Sequence, residues 1–150
     1  MERGRGDQEV AKAKTLVLDA SVLIKWFNKE EHTDKALSVK DLYERGIVDL
    51  VEPELAAYEL GNSLRYNPNF GVEDVRQALS AIEKLQIATR PLAGELAART
   101  VELAYVYGLT LYDSAYVALA EMTGSALYTA DNEVVERVSK PLVKHVAELG

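Results

Sequence analysis

What most constrains this chain is an alternation. Five short apolar runs, each too brief for a helix, are separated by segments whose apolar residues recur at helical spacing. Strands are expected over Thr15–Asp19, Ile47–Val51, Ile87–Arg90, Ser125–Thr129 and Val143–Val146. Helices are expected over Ala20–Asn28, Asp34–Arg45, Pro53–Tyr66, Val72–Gln86, Gly94–Tyr107, Tyr112–Met122 and Glu133–Val138. Gly46, Gly108 and Gly124 stand where three of these helices should stop. Strands that alternate with helices are joined by crossovers rather than hairpins, which implies an α/β sandwich with a mainly parallel sheet. Residues 1–14 are polar and of mixed sign, and are read as a flexible tail ahead of one domain spanning 15–150. At 150 residues the chain suits a single core.

Composition removes several functional classes. With no cysteine there is no disulfide scaffold, thiolate zinc site or thiol nucleophile. No stretch approaches the roughly 18 apolar residues that span a bilayer, and the N-terminus carries no secretory apolar segment, so a cytoplasmic protein without membrane attachment is expected. The net charge of −7 argues against a protein that coats nucleic acid through a basic face. All of that surplus lies beyond residue 45, because the first 45 residues balance nine basic against nine acidic side chains.

The chain lacks nucleophile elbows, phosphate-binding loops and paired-histidine metal motifs. His32 and His145 read as surface residues rather than general bases. Trp26 and most of the eight tyrosines read as core. Carboxylates remain. Asp19 and Asp131 each close an apolar run just before a helix, at strand ends where open parallel sheets bind ligands. Asp113 sits in the first turn of an otherwise apolar helix, where an unpaired carboxylate costs several kcal/mol. Glu59 falls on the flank of the Ala56-Leu60-Leu64 face. Each acid also has a local use: Asp19 and Asp131 as helix caps, Asp113 in a capping box with Thr110, Glu59 as a boundary residue. Spacing alone leaves both accounts standing.

Taken in order, the blocks resemble a known family. Val17-Leu18-Asp19-Ala20-Ser21-Val22-Leu23 is similar to the opening of a PIN domain. Pro53-Glu54-Leu55-Ala56-Ala57-Tyr58-Glu59, Thr110-Leu111-Tyr112-Asp113-Ser114-Ala115 and Leu127-Tyr128-Thr129-Ala130-Asp131 resemble its second, third and fourth acidic elements. Order and spacing resemble the VapC-type toxins from about Thr15 to Val146. The resemblance implies a three-layer α/β/α fold and a ribonuclease in which Asp19, Glu59, Asp113 and Asp131 hold one or two Mg²⁺ or Mn²⁺ ions. Hard cations of this kind prefer carboxylate oxygen and keep waters that can attack a phosphodiester. It makes Ser21 and Thr129 pocket hydroxyls, with capping or turn bonding an equal reading of both. It also implies an RNA substrate, a homodimer and a cognate antitoxin protein.

Lys25, one helical turn after Ser21, reads equally as a phosphate contact near Asp19 or as part of a solvated face, and Arg65, Lys12 and Lys14 are further candidates for phosphate contact. Two other classes remain in play. A non-cleaving PIN-fold module that binds RNA or protein is disfavoured by the full acid set. A phosphatase or phosphoacceptor would need a second early acid, and Ser21 stands where one of these families places it.

Overall fold

The computed structural model describes residues 13–150. Its strands are β1 (Lys14–Leu18), β2 (Val48–Pro53), β3 (Ala88–Arg90), β4 (Ala126–Thr129) and β5 (Val143–His145). Their order in the sheet is β3-β2-β1-β4-β5. Every neighbouring pair is parallel, so the sheet expected to be mainly parallel is parallel throughout. Helices α1 (Ala20–Leu23), α2 (Thr33–Glu44), α3 (Leu55–Arg65), α4 (Val72–Leu85), α5 (Gly94–Tyr107), α6 (Leu111–Thr123) and α7 (Asn132–Val138) fill the connections. Most of the tail read from sequence, residues 1–12, lies outside the described residues. Lys14, read as tail, is the first residue of β1.

The connectivity positions the site. From β1 the chain steps outward to β2 and β3, returns to β4 on the other side of β1, and ends in β5. Right-handed crossovers then put α1–α4 on one face and α5–α7 on the other, which makes three layers. At β1 and β4 the connections part in opposite directions, and that divergence opens a crevice at the strands' carboxyl ends. Asp19 and Asp131 follow those two ends.

Burial explains why the strands read as solid apolar runs. Leu16, Val17 and Leu18 are all buried, as expected for a strand covered on both faces. The central helix α6 packs on β1, β2 and β4 and against α5. Ser114 through Ala120 are buried without a break, so α6 has no solvent face along that stretch. No helix among the described residues is long and apolar enough to cross a membrane.

Four expectations are corrected. The helix from Ala20 lasts only to Leu23 before tightening into a 3₁₀ turn, Ile24–Trp26, and the Trp26 indole N–H donates to Ala36 O at 2.8 Å. Pro53 does not open α3 but ends β2, where a missing N–H is tolerated. The tyrosines are not mostly core: Tyr116 and Tyr128 are buried, whereas Tyr58, Tyr66, Tyr105 and Tyr112 are exposed. His32 and His145 are partly buried, with ring centroids 5.9 Å apart in an edge-on contact that sequence distance concealed.

Candidate active site

Asp19 is the first residue past β1, and its N–H donates to Tyr128 O at 3.0 Å, extending the ladder to β4. It occupies the cap position of α1, yet its side chain makes no cap bond. Its Oδ2 instead accepts from Ser21 Oγ at 2.7 Å and from Thr129 Oγ1 at 2.8 Å. Each hydroxyl is fixed in turn by a backbone donor. Ala130 N–H reaches Ser21 Oγ at 3.0 Å, and Asp131 N–H reaches Thr129 Oγ1 at 3.0 Å. A hydroxyl has one proton to give. Both are spent on Asp19, so the 3.4 Å approach of the two oxygens is a contact rather than a bond. Asp19 Oδ2 is thereby held as the acceptor of two hydroxyl donors.

The other acids divide the capping account between them. Asp131 does cap α7, its Oδ1 accepting Glu133 N–H at 2.9 Å. Asp113 receives half of the expected box: Thr110 Oγ1 accepts Asp113 N–H at 3.0 Å, and among the described residues no bond returns from its carboxylate to the Thr110 amide. Glu59 is partly buried, and Tyr116 O–H donates to its Oε1 at 2.8 Å. Tyr116 lies one turn beyond Asp113 on α6, so a single helix supplies one acid and the clamp of another.

Three of these carboxylates feel their neighbours. Burial raises the Asp19 pKa, against the pull of the Ser21 and Thr129 hydroxyls, and the Asp131 charge adds to the rise. Glu59 is raised by burial and by the charges of Asp19 and Asp113, with the Tyr116 bond opposing. Asp113 is raised by burial, then by Asp19 and Asp131. Among the described residues none of the four is in an ion pair with a cationic side chain. An all-oxygen anionic set without a protein counter-charge suits a hard divalent cation. Among the described residues no group of three acidic or imidazole side chains is placed to hold one ion.

Sequence reasoning missed Glu52 and Tyr116. Glu52 is 3% exposed in β2, its Oε2 accepting Leu18 N–H at 2.9 Å. The signal was present: Glu52 is in phase with Val48 and Leu50 on a strand read as ending two residues too soon. Tyr116 is in phase with Asp113 on α6.

The basic residues fare differently. Lys25 is buried, and its ammonium is taken up within its own loop by Glu30 Oε1 at 3.0 Å and Glu31 O at 2.7 Å. Arg65 is exposed, with its guanidinium 5.1 Å from the centre of the Tyr66 ring. Lys14 opens β1, about 13 Å of strand away from the carboxyl end where the acids gather. Lys12 lies outside the described residues.

Comparison with known proteins places the chain in a family. A family model described as PIN domain matches residues 16–141. Over 127 residues the chain is 33% identical to Ribonuclease VapC3 of Pyrobaculum aerophilum, covering 81% of this chain and 93% of that protein. A crystal structure of a Pyrobaculum aerophilum protein superposes with a TM-score of 0.62 at 25% identity, over 91% of this chain and 85% of the other. A toxin-antitoxin complex from Klebsiella pneumoniae shares the fold, with a TM-score of 0.63 at 19% identity over 85% and 94% of the two chains. The chain belongs to the PIN-domain family and is of the VapC type.

Proposed function

We propose that the crevice at the ends of β1 and β4 is the active site of a divalent-metal-dependent endoribonuclease, the toxin of a toxin–antitoxin pair. One observation carries this reading: Asp19, Glu59 and Asp113, on three separate segments, each have their proton affinity raised by burial and by the charges of neighbouring carboxylates, Asp131 among them, and none of the four acids meets a cationic side chain among the described residues. The curated relative named as a ribonuclease supports the same reaction class.

In this reading Asp19, Glu59, Asp113 and Asp131 hold one or two Mg²⁺ or Mn²⁺ ions. Such an ion supplies an acidified, oriented water for in-line attack on phosphorus and offsets charge at the phosphate in the transition state. Ser21 and Thr129 hold the Asp19 carboxylate in one orientation. Tyr116 keeps Glu59 turned toward the crevice. The bond that breaks is P–O3′, leaving 5′-phosphate and 3′-hydroxyl ends. Arg65 is the exposed cation proposed to meet the RNA backbone, while Lys25 would first have to leave Glu30. A cognate antitoxin and a second copy of the chain are the proposed protein partners. An apolar groove of about 530 Å³, lined in part by Tyr58, Leu92, Leu111 and Tyr112, offers them surface.

The test pairs two measurements on the wild type and Asp113→Asn. Millimolar Mn²⁺ should raise the wild-type melting temperature, since a ligand of the native state stabilises it, and the wild type should cleave a fluorogenic RNA only with metal. Asp113→Asn should stay folded and lose about a hundredfold or more of the cleavage rate, the scale for removing one group that stabilises transition-state charge. A wild type with neither metal stabilisation nor metal-dependent cleavage would sink the reading.

A further inference from the structure

Beneath the four acids lies a fifth carboxyl that the mechanism above leaves unused. Glu52 sits where β2 changes partner. Lys14↔Val48 through Leu16↔Leu50 pair β1 with β2, whereas Val51, Glu52 and Pro53 pair with β3. The two strands therefore part just below the crevice.

That split leaves a specific backbone group to satisfy. Successive N–H groups of a strand point to opposite sides. Asp19 N–H points to β4, where Tyr128 O accepts it at 3.0 Å. Leu18 N–H points the other way, toward β2, beyond the last backbone pairing of the two strands. Glu52 Oε2 takes it at 2.9 Å, in the place a ladder carbonyl would have filled. The two successive N–H groups leading up to Asp19 are thus held from opposite sides.

The arrangement carries a cost. Glu52 Oε1 is buried and has no partner among the described residues, and an unsatisfied buried polar atom is unfavourable. An apolar side chain at this position would avoid that cost but leave Leu18 N–H without an acceptor. Burial, reinforced by the Asp19 charge, lifts the Glu52 pKa well above the ordinary carboxylate range. The neutral acid is the form that can sit beside Asp19 without repelling it.

We propose that Glu52 is a positioning residue of the acidic site, accepting Leu18 N–H across the β1–β2 split and so fixing the Val17–Leu18 peptide, one residue ahead of Asp19. This rests on the ribonuclease reading for its consequence, though not for its geometry.

Three substitutions test it. Glu52→Gln keeps a neutral acceptor of the same length. Glu52→Leu fills similar volume without one. Glu52→Asp keeps the carboxyl but draws it back by one methylene. Amide exchange at Leu18 and Asp19, followed by NMR on metal-free protein, reads the bond directly. Metal-dependent RNA cleavage, separated into kcat and KM, reads its consequence. Glu52→Gln should retain wild-type exchange at Leu18 and wild-type kcat within about threefold. Glu52→Leu and Glu52→Asp should exchange at least about tenfold faster at Leu18 and lose about ten- to a hundredfold in kcat at nearly unchanged KM, the range for groups that orient metal ligands. Glu52→Leu with wild-type exchange and kcat would overturn the proposal and leave Glu52 as filler. Should Glu52→Leu fail to fold, Glu52→Asp against Glu52→Gln decides in the same way. A wild type without metal-dependent cleavage would remove the ribonuclease reading instead, and the exchange rates would still decide whether Glu52 holds Leu18.

Discussion

Asp19 shows how a carboxylate is made usable rather than merely present. It stands at a helix cap position but does not cap, and two hydroxyls aim their only protons at one of its oxygens. Ser21→Ala or Thr129→Val should each lower the cleavage rate by about tenfold or more, as removal of outer-shell partners does. The double substitution should cost less than the two losses combined, because both act through one carboxylate. Full additivity in a double-mutant cycle would count against a shared role. The raised pKa values carry a stability consequence whose sign is fixed. Asp19, Glu52, Glu59 and Asp113 all hold protons more tightly in the folded chain than at their ordinary values. Between those ordinary values and the raised ones the native state binds more protons than the unfolded state, so stability falls as pH rises. In EDTA the melting temperature should therefore drop as pH rises above the ordinary carboxylate range, with a shallower slope in Asp113→Asn. With Mn²⁺ present the trend should weaken or reverse, because a cation binds the deprotonated acids. A metal-free melting temperature that rises over this range would contradict the assigned environment.

Elements show what a reader of the sequence can and cannot see. The strands were legible because a parallel sheet covered on both faces demands consecutive apolar residues, as at Leu16-Val17-Leu18. Asp19 and Asp131 were legible because those runs end at them. What stayed hidden depends on contacts between distant segments. The split of β2 between two partners has no local signature, so neither Pro53 as a strand end nor Glu52 as a substitute for a ladder carbonyl could be read from spacing. Tyr58 and Tyr112 have apolar neighbours in sequence and yet face outward, because helix phase and not local composition decides burial. At this scale α6 offers a test. It is buried from Ser114 to Ala120 and begins on a threonine cap. Thr110→Ala should cost about 1 kcal/mol in chemical denaturation, the usual loss for such a cap. It should also loosen the first turn that carries Asp113, lowering Mn²⁺ affinity. A stability loss with unchanged Mn²⁺ affinity would mean that the turn is held by packing and that the cap does not reach the site.

For the whole molecule, the net charge of −7 and the proposed substrate look incompatible until the charge is located. An acidic protein repels a polyanion at long range, and release of counterions by a basic face contributes little here. In the proposed site the four acids are the local source of that repulsion, and each divalent ion bound there would remove two units of it. A bound cation is the largest charge in such a site and inverts the field around it. RNA affinity should therefore depend on metal more steeply than on salt, the reverse of a protein that grips phosphates with lysines. The measurement is fluorescence anisotropy of a labelled single-stranded RNA in EDTA, in Ca²⁺ and in Mn²⁺. Asp113→Asn with Mn²⁺ separates metal held in the crevice from metal carried on the RNA. The wild type should bind weakly in EDTA and about tenfold or more tighter with either ion, the fold-change that corresponds to 1.4 kcal/mol. Asp113→Asn should recover only part of that gain. Equal affinity in EDTA and in metal would mean that RNA is held by a surface other than the crevice, such as the exposed Arg65 side of α3. The acids would then belong to a site that RNA does not need in order to bind.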